Sequence, residues 1–500
     1  MPITYIPNDP LAGGGPASGS VSPRPQPKGS VGFDIRPSAP SAVYQPHTEG
    51  FDYWQSRNAL HLGLAAWSDV AGVPAGPWYG NRSTLPVLTD AGDDLNAFYD
   101  RRGLQFFHHS YGGVMVHSSE SVDVVCHEEG HALLDTIRSD FFDVPFIEVA
   151  ALHEAFGDCM AIMSGLSDPR VRTALIGISA DLSGNHFLES LAEELGDAIR
   201  REYGANSVEK GALRHALNTF RWSDPTSLPP NAPATSISGE VHSFSRVFSG
   251  SFWDTLRGIH AAGPHTAAGL QKAVRTAGRL LISSLRAVPA APRTFEGVGR
   301  GMVEADASTN SGANVSIIRD AFAAHGITVP APAIAVAVPI KGGRTRGAAS
   351  RQLRDQLAVP SGARVSFTNV DTDAHGQMAH MTAYRPVALT DELAGLHIMV
   401  PATAQIRTRG ATVMGVLGDV RPADQEAEAE GRAFARALVA NGDLILPGAA
   451  GARAGAVSGA RLRGRAVAPP LPRPANAPFP PTHIVRTENG LQVIKRLGFA

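Results

Sequence analysis

Two imidazoles and a carboxylate fall within five residues at His127-Glu128-Glu129-Gly130-His131, and this spacing constrains the local fold more than any other feature of the chain. At about 100° per residue, positions four apart stand one turn apart on one helix face, so both rings reach a single metal ion only if the segment is helical. Val124, Val125, Ala132, Leu133, Leu134 and Ile137 lay an apolar stripe along the same stretch, which predicts that helix. Histidines so placed hold zinc, and Glu128 stands beside the ion as general base instead of ligand. A chance match on an ordinary helix is the plainer reading, and the apolar stripe weighs against it.

A catalytic zinc needs a third protein ligand and one open position. A second apolar helix is expected over 148–166, carrying Glu154-Ala155-Phe156-Gly157-Asp158 with its carboxylates at i and i+4 on one face. Two solvated acids on a half-exposed face would be the bland account. The sharper one makes Glu154 the third ligand of one zinc per chain and Asp158 the outer carboxylate that orients a histidine ring. His153 is set one helical step away and is not counted as a ligand. His108, His109 and His117 read as ordinary strand residues, since alternation puts 108 and 109 on opposite faces.

These residues carry a resemblance. Ser121-Val122-Asp123-Val124-Val125-Cys126-His127-Glu128 looks like the start of the active-site helix of thermolysin-like zinc metallopeptidases, and Glu154-Ala155-x-x-Asp158 resembles that family's third-ligand motif. Asn96-Ala97-Phe98-Tyr99 resembles its substrate-binding edge strand, Gly239-Glu240-Val241-His242-Ser243 the segment with its oxyanion histidine, and 316–327 its closing helix. The match covers about residues 90–329. It implies an α+β, two-lobed peptidase domain over 48–329, with a sheet-rich lobe (48–122) and a helical lobe (123–329). Zinc would be held by His127, His131 and Glu154, Asn96 and Ala97 would hold the substrate main chain, and His242 would serve the oxyanion. Zinc endopeptidase is the activity implied, with an aminopeptidase or a catalytically silent binding module as rivals.

Departures are part of the reading. Twenty-two residues separate His131 from Glu154, a few more than is usual in the family. The family backs its oxyanion histidine with an Asp five positions earlier, where this chain has Ile237, so His242 is expected either to be less well oriented or to pair with Ser236 or Glu240. Arg221 is one residue out of register with the family's substrate-binding arginine, and Phe141 and Phe142 occupy the stretch where a tyrosine is common. Asp123 matches a calcium-binding carboxylate, but Gly165 stands where a shared glutamate is expected. Calcium wants six to eight oxygens. Calcium is therefore not expected, and Asp123 is read as a cap of the zinc helix.

Charge is balanced at 44 basic and 46 acidic residues, so no nucleic-acid or membrane-surface partner is indicated and a peptide or protein substrate is the expected one. No apolar run approaches the ~18 residues of a membrane span. The first twenty residues lack a basic segment followed by an apolar one, which predicts a cytoplasmic product or export by a non-classical route. Cys126 and Cys159 are the only cysteines and adjoin His127 and Asp158. They read as small buried hydrophobes, with a redox pair as the lesser alternative.

Residues 1–47, rich in Gly, Pro and Ser, are expected as a disordered tail. Between 51 and 120, strand-like stretches such as 104–109 and 114–117 suggest a sheet-rich lobe, and helices are expected near 123–138, 147–165, 186–203, 208–220, 242–262, 266–286 and 315–325. A small β-rich domain of no assigned activity is expected over 330–445, then a linker (446–481) and a hairpin (482–500) turning at Asn489-Gly490.

Overall fold

The computed structural model describes residues 1–330, 338–345, 365–373, 376–389, 396–409, 412–421, 423–441, 484–487 and 490–493. Strand β1 (Ile3–Tyr5) pairs antiparallel with β2 (Gly19–Val21), and β3 (Gly32–Arg36) joins the main N-terminal sheet. Residues 1–47 are thus built into the fold and form no tail. Their backbone is satisfied by side chains of the next helix: Gln55 bonds both the N–H and the carbonyl of Ile6 (3.0 and 2.8 Å), and Asn58 accepts from Arg24 N at 2.9 Å. A Gly/Pro-rich stretch lacks an apolar pattern of its own, so such partner-made order leaves no local signal.

Helix α1 (Glu49–Ala71) was not anticipated in the stretch expected to be strand-rich. It is buried on nearly all sides, through Phe51, Trp54, Leu60, Leu64 and Trp67, so it lacks the one-sided stripe by which a helix is recognised. Thr48 caps its start and Gly72, at φ 72°, ends it. Strands β4 (Thr84–Leu88), β5 (Ala97–Tyr99) and β6 (Leu104–Phe106) complete a sheet of order β3-β4-β6-β5, parallel except for β5, which lies antiparallel on the edge. β7 (His108–Tyr111) and β8 (Val114–His117) form a separate hairpin.

A 3-10 turn at Ser118–Glu120 leads into α2 (Val122–Ile137) and α3 (Ile147–Ser167). There follow α4 (Pro169–Ile178), β9 (Ser190–Leu191), α5 (Glu193–Tyr203), β10 (Arg214–His215), α6 (Val241–Ala261), α7 (Ala267–Ala287), α8 (Thr294–Thr309) and α9 (Val315–Ala324). The expected helix over 186–203 starts only at 193, and that over 208–220 is absent. There Arg214 and His215 pair with β9 instead, and Asn218 Nδ2 ties the loop to the carbonyls of His215 and Arg246. No helix among the described residues is long and apolar enough to cross a membrane.

The chain is therefore mixed α+β, and its last part is an antiparallel sheet. β11 (Val338–Thr345), β12 (Val365–Asp373), β13 (Gly376–Ala388), β14 (Leu396–Arg409) and β15 (Thr412–Arg421) run in the order β11-β15-β14-β13-β12, with α10 (Gln425–Asn441) packed on β14. β16 (Ile484–Thr487) joins β14 and pairs with β17 (Gly490–Val493). The expected linker and Asn489 lie outside the described residues. The C-terminal elements dock on the preceding helices through buried polar contacts: from β13, His380 Nε2 donates to the carbonyl of Arg286 at 3.2 Å, and from α10, Glu430 Oε1 accepts from Glu148 N at 3.0 Å.

Candidate active site

Helix α2 is fixed by apolar burial. Val125, Leu133 and Leu134 are fully buried, each contributing about 1.5–3 kcal/mol. Ser121 caps its start, and the backbone N–H of Val122 donates to the carbonyl of Asn8, so the N-terminal segment helps to hold this helix. Asp123 is not the cap: its Oδ2 accepts from Ala192 N instead. The carboxylates of Asp9 and Glu193 join it, the three within 4.8 Å and all buried. The oxygen set read as incomplete is thus enlarged by residues that the family motif does not contain.

Helices α2 and α3 approach closely because glycines face each other. A Cβ on Gly157 would stand 2.6 Å from His127 Cε1, and one on Gly130 would stand 3.0 Å from the Gly157 Cα. This brings His127, His131 and Glu154 together, with one donor atom of each within 4.8 Å of the others. His127 Nε2 is 3.8 Å from Glu154 Oε2.

Outer groups orient each ring. His127 Nδ1 lies 3.0 Å from Asp158 Oδ1, which leaves Nε2 toward the cluster. Asp158 also accepts from Arg214 at 3.0 Å and from Ser249 Oγ at 2.8 Å. Burial works against its charge, but Arg214 and His127 outweigh that and hold the carboxyl at about 2. His131 Nδ1 lies 2.6 Å from His153 Nδ1, with the rings stacked at 4.8 Å. Burial and the imidazoles of His153 and His127 push the pKa of His131 well down, so it is the neutral ring that a metal requires. His153, discounted from the sequence, is therefore an orienting group outside the three-residue cluster.

Glu128 is 1% exposed, and among the described residues neither carboxyl oxygen has a hydrogen-bond partner. Burial, with Glu154 adding to it, raises its pKa to about 8. His242 stands at the start of α6, which Glu240 caps through the N–H groups of His242 and Ser243. Glu240 Oε1 also lies 2.5 Å from His242 Nδ1, and His242 Nε2 faces Glu154 Oε2 at 3.4 Å. Of the two partners the sequence offered, Glu240 takes the ring. Burial opposes the imidazolium, yet Glu154 and Glu240 raise its pKa to about 9.

Asn96 and Ala97 lie at the start of β5, the sheet edge that packs against α2, and Asn96 Oδ1 accepts from Ala97 N at 2.9 Å. Arg221 is not brought to the cluster. It is exposed and its guanidinium donates to the carbonyl of Ala324. The arginine at the site is Arg214, which lines a small cavity with His127, Glu128 and Asp158. It escaped the sequence reading because its segment looked helical. Phe142 packs edge-on against His153 at 5.5 Å, and Cys126 and Cys159 are both free and buried. The strand histidines each take a separate carboxylate: His108 with Asp90, His109 with Asp93 and His117 with Asp52.

The donor set is of a kind that could hold a metal ion such as zinc: two imidazoles with oriented rings, one carboxylate whose Oε2 makes no hydrogen bond among the described residues, and a buried acid alongside. No family model matches the chain, and no curated protein is found to be similar to it.

Proposed function

We propose that the chain is a zinc-dependent endopeptidase with the two-lobed thermolysin-like architecture. The observation that carries this is the meeting of His127, His131 and Glu154 within 4.8 Å, with the unpaired carboxyl of Glu128 buried beside them. Zinc held by those three residues would supply a Lewis acid and acidify a water. Glu128 takes the proton of the attacking water and hands it to the leaving amine, a role that demands an oxygen not committed elsewhere. His242, held at Nδ1 by Glu240, presents Nε2–H to the oxyanion, a contribution of roughly 3 kcal/mol for a well-aimed donor. The β5 edge aligns the peptide as an added strand through Asn96 and Ala97.

Metal analysis paired with cleavage of an unstructured protein tests this reading. Chelator-sensitive cleavage that Glu128→Gln abolishes while zinc stays bound is expected. Zinc without any cleavage would favour a silent binding module, and cleavage confined to free N-termini an aminopeptidase.

A further inference from the structure

A second histidine–carboxylate cluster lies outside this site. Asp52 from the first turn of α1, His117 from the end of β8 and Glu120 from the 3-10 turn bring one donor atom each within 4.8 Å of one another, and all three are buried. His117 Nδ1 lies 3.0 Å from Asp52 Oδ2. Asp52 is 1% exposed and Glu120 0%, yet among the described residues Asp52 Oδ1 and Glu120 Oε2 accept from no N–H or hydroxyl donor. Neither carboxylate pairs with a lysine or arginine among the described residues. Two buried acids facing one imidazole are balanced either by a proton that Asp52 and Glu120 share or by a bound cation.

The cradle is preformed. Gln55 Nε2 donates to the Glu120 carbonyl at 2.8 Å and Ser56 Oγ to that of Ser119 at 3.3 Å, so α1 holds the turn from below. His47 covers the open side: its Nδ1 is 3.4 Å from Glu120 Oε1, its ring is 5.2 Å from that of His117, and its side chain is 39% exposed. It does so at φ 59°, the left-handed region that costs a residue with a side chain and persists only where surroundings impose it.

We propose that Asp52, His117 and Glu120 form a second metal centre for a divalent ion of the zinc class, with His47 as the fourth, solvent-side donor. An imidazole with two carboxylates selects such an ion over calcium, whose ligands are all oxygen. Its place in the chain assigns it a structural task. It joins the start of α1 to the turn that immediately precedes Ser121, the cap of α2, and so anchors the helix that carries His127 and His131.

The centre is tested in the full-length chain, free of any tag and carrying His131→Ala and Glu154→Ala, so that the first cluster cannot report. After metal stripping, the protein is titrated with zinc and then with calcium, bound metal is counted after dialysis, and circular dichroism checks the fold. The double variant is expected to keep one zinc equivalent, lost on adding His117→Ala or the near-isosteric Glu120→Gln. Loss with Glu120→Gln in a folded protein supports the proposal even if His117→Ala unfolds. A double variant that holds no zinc, a count unchanged by Glu120→Gln, or a centre filled by calcium and not by zinc would each overturn it; the first of these would leave Asp52 and Glu120 as a carboxyl pair sharing a proton. Because wild type need not be active for the count, failure of the peptidase reading leaves this result intact.

Discussion

The helices around the α2–α3 crossing and the C-terminal sheet differ in what their buried polar groups do. At the crossing, acids and imidazoles converge from α2, α3 and α6 on one point, and Asp158, His153 and Glu240 each hold a ring there. In the C-terminal unit, the buried polar groups His380 and Glu430 point outward, each to the backbone of a preceding helix. The first arrangement concentrates chemistry and the second spends its polar groups on docking. The two meet at α3: Glu430 caps the N-terminus of the helix carrying Glu154, a start that has no side-chain cap of its own.

The sharpest way to break the contrast is to remove a member of the crossing. Glu154→Ala is expected to strip zinc and take cleavage to background. Asp158→Asn, which leaves all three ligands, should weaken zinc affinity only about 10- to 100-fold. Equal zinc content in wild type and Glu154→Ala, measured by metal analysis, would place the third ligand elsewhere. Next in size is Glu128→Gln, which should keep zinc and lose about 10²- to 10⁴-fold in rate. Retained activity would remove the general-base role.

A smaller loss is expected at Glu240. Glu240→Gln keeps an acceptor for the α6 backbone but no longer fixes the His242 ring by charge, so kcat should fall by about 10-fold, within the range of outer-group substitutions, while KM stays near its value. An equal change in kcat and in thermal stability would mark Glu240 as a helix cap only.

The same contrast explains what was legible in the sequence. The proposed ligands His127 and His131, and the pair Glu154 and Asp158, stand at i, i+4 within apolar runs, so α2, α3 and the grouping of Glu154 with Asp158 could be read from local pattern, as could the β-rich character of 330–445. What could not be read depends on partners distant in the chain. α1 is buried all round and shows no stripe; residues 1–47 are ordered by Gln55 and Asn58; Arg214 reaches Asp158 only because β10 pairs with β9. The second cluster is hidden for the same reason, its Asp52 and His117 lying 65 positions apart.

Docking through Glu430 should be felt weakly at the site. Glu430→Ala removes the acceptor of Glu148 N, and losing a helix cap costs about 0.5–2 kcal/mol. A lowered Tm with a modest fall in kcat/KM is expected, and Glu430→Gln, which keeps an oxygen at that place, should restore most of both. An unchanged Tm in Glu430→Ala would mean that α10 does not support α3.

The smallest effect concerns acid. His380 is 0% exposed, its Nε2 donates to the Arg286 carbonyl, and Nδ1 has no hydrogen-bond partner among the described residues. Burial, aided by the nearby Arg138 guanidinium, lowers its pKa to about 3 against the ordinary ~6.5. The unfolded chain therefore takes up a proton at this ring before the folded one does. Its contribution to stability is complete above pH ~6.5 and is lost progressively as pH falls from there toward about 3. Replacing His380 with Asn removes the titrating ring, so the difference in Tm between neutral and mildly acidic buffer should shrink in the variant. Hydrogen exchange should localise the acid-sensitive opening of wild type to β13 and the end of α7. If the variant and wild type lose Tm in parallel on acidification, the acid lability belongs to other groups and the docking of the sheet on α7 is independent of pH.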